Sequence, residues 1–205
     1  MEKLTTTLAI DTSSNRLQLA LIRNDKITSY VENVARGHAE IIFDRIEKFF
    51  ASNKITYDDL VRIVVITGPG SFTGLRASIA ATRAIGFAKK IPVIGVPTLL
   101  ALSLGIEHKE NFTITLDARR NEIYCQTFSK AAFPIGKEQL LSNEHAPKGD
   151  NIFIPEHIDI ELLAHFGASA LPKDFIAIPN YVRQADAKPQ TKHIVELEEK
   201  QQGIR

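Results

Sequence analysis

The hydrophobic pattern changes period repeatedly over the first hundred residues, and this order constrains the fold more than any other feature of the chain. Residues 4–10 and 15–22 are runs of β-formers and aliphatics joined by a hydroxyl-rich turn through Thr12, Ser13, Ser14 and Asn15. Asn24-Asp25 marks a second turn, and residues 26–34 continue with strand alternation. The spacing then becomes helical. Ile41, Ile42, Ile46, Phe49 and Phe50 are interleaved with Glu40, Asp44, Arg45, Glu47 and Lys48, which predicts an amphipathic helix over 38–52. Thr56-Tyr57-Asp58-Asp59 reads as an N-cap with an acidic first turn. A strand over 63–67, a helix over 75–88 and a strand over 93–96 follow. The order β-β-β-α-β-α-β predicts a mixed sheet with helices packed against it.

The second half opens in the same way. Residues 112–117 and 122–128 read as paired strands around Ala118–Asn121, with shorter elements after them. The chain therefore reads as a duplicated α/β architecture whose second unit is too short to repeat the first in full. A length of 205 residues allows one domain or two small ones, and the division expected is 1–97 and 98–205. The polar stretch after Pro189 reads as a terminal helix or a loose end.

Charge and cysteine content remove several function classes. The net charge is +1, which argues against a broad nucleic-acid-binding surface. Residues 1–102 sum to +4 and residues 103–205 to −3, a mild asymmetry compatible with one basic face. Cys125 is the single cysteine, so neither an intramolecular disulfide nor a multi-cysteine metal site can form within one chain; a small residue inside a strand is its simplest reading. Met1–Thr7 lacks a signal-peptide apolar stretch, and the strongly apolar segment Ile63–Ile66 has strand length, far below a membrane span. A soluble, cytoplasmic protein is expected.

Gly68-Pro69-Gly70-Ser71-Phe72-Thr73-Gly74-Leu75-Arg76 lies between an apolar strand and a helix, where backbone N–H groups and the helix dipole can hold an anion. It departs from the P-loop, because Thr73 and Gly74 stand where Gly and Lys are needed. It departs from the dinucleotide fingerprint, because the third glycine position falls on Thr73. A phosphate loop and a structural glycine turn both remain open. Asp11-Thr12-Ser13 ends the first strand in a turn that could meet phosphates or hydrated Mg²⁺, although Asp and Ser are also ordinary turn residues. Together the two loops fit the phosphate-facing loops of an actin-like ATPase.

No pair of the six histidines has the i, i+4 spacing of a helical zinc site. His38, at a helix start, reads first as a polar cap or surface contact. The helix 75–88 carries Ala77, Ala80, Ala81, Ala84, Gly86 and Ala88, which suits either close internal packing or a subunit interface formed with the helix 38–52. Asp117-Ala118-Arg119-Arg120-Asn121-Glu122 places two arginines among carboxylates, where ion pairing across a turn competes with recognition of an anionic partner.

Ala9-Ile10-Asp11-Thr12-Ser13, Arg36-Gly37-His38, the Gly68–Arg76 loop, Gly95-Val96-Pro97-Thr98-Leu99, Asp117–Tyr124 and Pro179-Asn180-Tyr181-Val182-Arg183 occur in this order. The pattern resembles the bacterial TsaB (YeaZ) family, which helps make threonylcarbamoyladenosine in tRNA. The resemblance runs from residue 9 to residue 183. The glycine loop and the Asp-Ala-Arg-Arg segment are its specific parts. The chain departs from the family in a short C-terminal end and in Asn121, where glycine is more usual.

The resemblance implies a two-lobed actin/Hsp70-like ATPase (ASKHA) α/β fold, with mixed sheets flanked by helices and a shortened second lobe. It implies a non-catalytic scaffold or activator that needs no cofactor. This subunit pairs with itself and with a TsaD-type catalytic paralogue, joined by a TsaE-type ATPase, and meets tRNA only through that complex, away from any membrane. The stretch Pro97–Ser103 lacks the His-x-x-x-His metal motif of the catalytic paralogue, so no catalytic or metal residue is expected. Asp11, Thr12, Ser13, Gly68, Gly70 and Gly74 are then vestigial nucleotide-loop positions. The partner interface falls on His38, Ile42, Phe72, Leu75, Arg76, Ala77 and Ala81. On that reading a bulky charge at Ala81 abolishes the complex and leaves the monomer folded. The alternative is an ATP-dependent phosphotransferase of actin-like fold using Asp11 and the Gly68–Gly74 loop.

Overall fold

The structure is a computed structural model that describes residues 6–24 and 26–183; Met1–Thr5, Asp25 and the stretch after Pro189 lie outside the described residues. Strands β1 (Thr6–Asp11), β2 (Arg16–Arg23) and β3 (Lys26–Asn33) form an antiparallel meander. Helix α1 (His38–Asn53), a 3₁₀ turn at Tyr57–Asp59 and strand β4 (Leu60–Gly68) follow. Thr56 caps that turn reciprocally with Asp59, as its sequence suggested. Helix α2 (Phe72–Lys89), strand β5 (Val93–Pro97) and the short helix α3 (Thr98–Ser103) complete the unit. Strand β4 pairs in parallel with both β1 and β5, giving a five-stranded sheet of order β3-β2-β1-β4-β5. The helix expected from residue 75 begins three residues earlier. The Ser71 side chain accepts the Gly74 N–H and caps the first turn, so the glycine does not delay the helix.

The second sheet repeats the opening. Strands β6 (Phe112–Arg119), β7 (Glu122–Phe128) and β8 (Pro134–Ser142) are antiparallel neighbours, and the two-residue β9 (Ile152–Phe153) runs parallel to β6. The order β8-β7-β6-β9 is the first sheet's order without its fifth strand. A 3₁₀ turn at Asn143–His145 stands where α1 stands in the first unit. Among the described residues there are therefore two mixed-sheet lobes, the second shorter than the first.

Alternation along the strands divides the core in two. Leu8, Ile10, Leu17 and Leu19 face α1 and α2, where Ile42, Ile46, Phe50, Ala81 and Ile85 close one cluster. Ala9, Val64, Ile66 and Val96 face the other way, onto α3, helix α4 (Ile160–Ser169) and the Phe112, Ile114 and Phe128 side chains of the second sheet. α4 lies against the first sheet although it follows the second sheet in the chain. Its Gly167 allows this: a Cβ there would stand 2.2 Å from Val64 Cγ2. Phe175 and Ile176 return to β5, with the Gly95 N–H donating to the Phe175 carbonyl at 2.9 Å.

One surface network makes a pH prediction. Glu32 on β3 accepts Arg45 Nε at 2.5 Å and Nη2 at 2.9 Å, and the Tyr30 hydroxyl at 2.8 Å. The guanidinium first, and the phenol second, hold the Glu32 carboxyl down at about 2. A depressed folded-state pKa contributes stability above the ordinary carboxylate pKa and loses it as pH falls toward 2. Glu32→Gln is therefore expected to be slightly less stable than wild type in urea at pH 7, the partners being partly solvated. That difference fades between about pH 4.5 and 2. A gap independent of pH over this range would overturn the assignment.

Candidate functional site

The two loops singled out from the sequence meet, and they meet directly. Asp11, at the end of β1, is buried; its Oδ1 accepts the Ser13 N–H at 2.7 Å and its Oδ2 accepts Gln18 Nε2 at 3.0 Å. Gln18 Nε2 also donates to the Ile158 carbonyl at 3.2 Å. The Thr12 hydroxyl, fully buried, donates to the Gly74 carbonyl at 2.8 Å. The Ser71 N–H donates to the Ser13 carbonyl at 2.7 Å. A Cβ on Gly74 would lie 2.0 Å from the Thr12 carbonyl oxygen, and one on Gly70 2.6 Å from that of Ser13. These glycines let two backbones touch. Gly68, with φ 115, turns the chain out of β4 beneath the Asn180 backbone.

The resemblance implies a nucleotide between such loops, and several of the groups that would hold it are already paired within the protein. Both Asp11 oxygens are engaged, the Thr12 hydroxyl and the Ser71 N–H are consumed by the opposite loop, and the glycines are filled from behind by backbone. A phosphate held by these same groups would have to displace the bonds that the two loops make to each other.

The seven positions assigned to an interface separate into two groups. Phe72 and Arg76 are exposed, and Ala77 is half-buried. Ile42, Leu75 and Ala81 are core side chains at 1%, 5% and 4% exposure. His38 is buried as well, its Nε2 lying 3.2 Å from the Arg16 carbonyl, so it ties α1 to β2. The reason is geometric: α1 and α2 pack side by side on one sheet face, so the residues turned toward the sheet are closed to any partner. Instead, α1 presents Glu40, Phe43 and Glu47, while α2 presents Phe72, Arg76, Ala80, Arg83, Ala84 and Phe87. No Asp or Glu occurs in α2. Arg76 lies 3.6 Å over the Phe72 ring, and its Nε donates to the Tyr181 hydroxyl at 3.1 Å.

The Asp117–Glu122 turn carries ion pairing. Arg119, Arg120 and Asn121 all have left-handed φ (63, 58 and 60), and Asn121 supplies the tolerance that glycine would. Asp117 accepts the Arg119 N–H at 2.8 Å and lies 3.3 Å from its guanidinium. Arg183 binds the Ala118 carbonyl and Glu122. Among the described residues no cluster of His, Cys, Asp and Glu has the arrangement of a metal site. Cys125 is buried in β7, and burial pushes its thiol pKa up.

Sequence reasoning missed a groove of about 840 Å³ between the β7–β8 hairpin and the α3–α4 side of the first lobe, with Pro97, Leu100, Phe133, Phe166 and Phe175 among its walls. At one side Asn180 Nδ2 donates to Glu138, whose carboxyl burial pushes above the ordinary value. No local motif marks it, because its walls come from five separate stretches of chain.

Comparison with known proteins agrees with this architecture. The family model described as TsaD, tRNA N6-adenosine threonylcarbamoyltransferase, matches residues 24–188. An uncharacterised protein of Mycobacterium tuberculosis is 31% identical over 205 residues, covering 91% of this chain and 96% of its own length. The tRNA threonylcarbamoyladenosine biosynthesis protein TsaB of Escherichia coli is 29% identical over 126 residues, 60% of this chain and 54% of that protein. The Bacillus subtilis TsaB is 31% identical over 121 residues, 58% and 53% respectively. These alignments span about half the length of the TsaB relatives. The YeaZ structure from Pseudomonas aeruginosa superposes with a TM-score of 0.73 at 22% identity, over 86% of this chain and 99% of that one, which shows the shared fold.

Proposed function

The chain belongs to the TsaD-type threonylcarbamoyltransferase family and, within it, to the TsaB (YeaZ) group; on that premise we propose that it serves threonylcarbamoyladenosine formation in tRNA as a non-catalytic partner subunit. Its task is to dock through the outer faces of α1 and α2, onto a second copy of itself or onto a TsaD-type catalytic paralogue, and to favour the paralogue's active conformation by binding it preferentially. A TsaE-type ATPase completes the assembly, and tRNA is reached through the complex.

The observation that carries this reading is the complementarity of the two faces. α1 offers acidic side chains around Phe43; α2 offers Arg76 and Arg83 between Phe72 and Phe87, with no carboxylate in the helix. A two-fold axis along such a pair sets acid against base and ring against ring. Exposed aromatics with arginine are also the residue types that anchor protein interfaces. A non-catalytic role is supported by α3, whose Thr98–Ser103 side chains are buried and include no imidazole. The phosphotransferase alternative has no such support, since the loops it needs are closed on each other.

Analytical ultracentrifugation tests the proposal. Wild type is expected to self-associate, and to exchange its own copy for a TsaD-type subunit when that is added. Arg83→Glu should weaken both associations about tenfold or more, as like charges then meet across the contact. Adding Glu47→Arg to Arg83→Glu should recover part of the homodimer. A wild-type monomer indifferent to the TsaD-type subunit would sink the reading.

A further inference from the structure

The nucleotide-loop positions have a job of their own. Thr12, Ser13, Gly70, Ser71 and Gly74 join the end of the first hairpin to the start of α2 through backbone contacts on both sides. The Thr12 hydroxyl holds the Gly74 carbonyl, and the Ser13 carbonyl holds the Ser71 N–H, the residue that caps the helix. Asp11 and Gln18 brace the hairpin from below and tie it to Ile158 on the far side of the sheet. Immediately beyond the junction stand Phe72 and Arg76, exposed on the first turns of α2.

We infer that these positions form a latch that sets the N-terminus of α2, so that residues which would hold a nucleotide phosphate in an ATPase of this fold instead present the partner-binding stripe. The inference deepens the partner-subunit reading and rests on it. Thr12, Ser71 and Gly74 are positioning residues: they touch no partner, and they act through the placement of Phe72 and Arg76. A free loop of this composition would leave the first turn of α2 to fray. The latch gives that turn a rigid attachment to the central strand β1, and preorganisation of this kind raises affinity by lowering the ordering cost of binding.

Two variants of Thr12 test it on the full chain. Thr12→Val keeps the shape of the side chain and removes the hydroxyl, whereas Thr12→Ser keeps the hydroxyl. Hydrogen exchange of the amides of residues 74–77 is read against that of the β1 and β4 amides, which report global opening. Thr12→Val should accelerate exchange at the start of α2 about tenfold relative to the β-strand amides and weaken homodimerisation by a similar factor. Thr12→Ser should restore both. Millimolar Mg-ATP should leave the wild-type melting temperature unchanged, because the Thr12 hydroxyl and the Ser71 N–H are already paired across the two loops.

Three results would overturn the latch: α2 exchange unaltered in Thr12→Val, exchange that rises equally in strands and helix, or a saturable stabilisation by Mg-ATP. A wild-type chain that never self-associates and ignores a TsaD-type subunit would instead remove the partner reading. The exchange comparison still decides the latch in that case.

Discussion

Gly74→Ala is expected to destabilise the protein by about 3 kcal/mol, although alanine is the better helix former by about 1 kcal/mol. The new Cβ would stand 2.0 Å from the Thr12 carbonyl oxygen, well inside contact distance, and the obstacle is backbone of the central strand's hairpin. Neither side can yield by a rotamer change. α2 must lift, and in lifting it strains the Thr12–Gly74 and Ser13–Ser71 hydrogen bonds, each worth about 1 kcal/mol. Urea unfolding should show a lower midpoint with an unchanged slope. Gly105→Ala is the control. The nearest atom to a Cβ there is Leu162 Cδ1 at 3.8 Å, an ordinary contact, so its stability should stay within about 0.5 kcal/mol of wild type. Equal stability of Gly74→Ala and wild type would mean that the loops do not touch.

Ala81→Glu is expected to unfold the protein or come close to it. Ala81 is 4% exposed and sits among apolar side chains of α1, α2 and the first sheet. A glutamate there has neither room nor partner. Isolated burial of a carboxylate costs several kcal/mol, and overpacking adds more, so a loss of about 4 kcal/mol is expected. Circular dichroism and urea unfolding at micromolar concentration would detect it. A cooperatively folded monomer of wild-type midpoint, deficient only in association, would return Ala81 to the surface and restore the interface first read from the sequence. Arg83→Glu, two residues further along α2 on its solvated face, should leave the midpoint nearly unchanged, which separates loss of fold from loss of docking.

These two variants mark where local pattern stops being informative. The helix 75–88 is rich in small residues, and its composition could not say which alanines face inward. Ala81 lies over the sheet and Ala84 over solvent because of the rotation of α2 about its axis. That rotation is set by the latch at its N-terminus and by Gly86, where a Cβ would stand 2.4 Å from Val93 Cγ2. His38 shows the same limit, since only the path of β2 puts the Arg16 carbonyl beside its ring. Helix α3 and strand β8 carried no local signal as strong as those of α1 or β4: α3 is six residues of uniformly buried side chains, and β8 is an edge strand with little apolar alternation.

The amino-acid sequence by itself determined the order of the elements through α2 and β5, the doubled and truncated plan of the two sheets, the amphipathic face of α1 and the location of the glycine loop. Each depends on interactions between near neighbours in the chain: the 2.0 and 3.6 periods, caps and turn residues act locally. Tertiary structure alone decided whether Gly70 and Gly74 cradle an anion or admit another backbone, which interface candidates are buried, and that α4 crosses back to cover the first sheet. Those outcomes rest on contacts between residues far apart in sequence, such as Thr12 with Gly74 and Val64 with Gly167. A glycine in a strand–helix loop is chemically the same residue whether the space behind it is solvent or a carbonyl oxygen, and only the assembled chain supplies that neighbour.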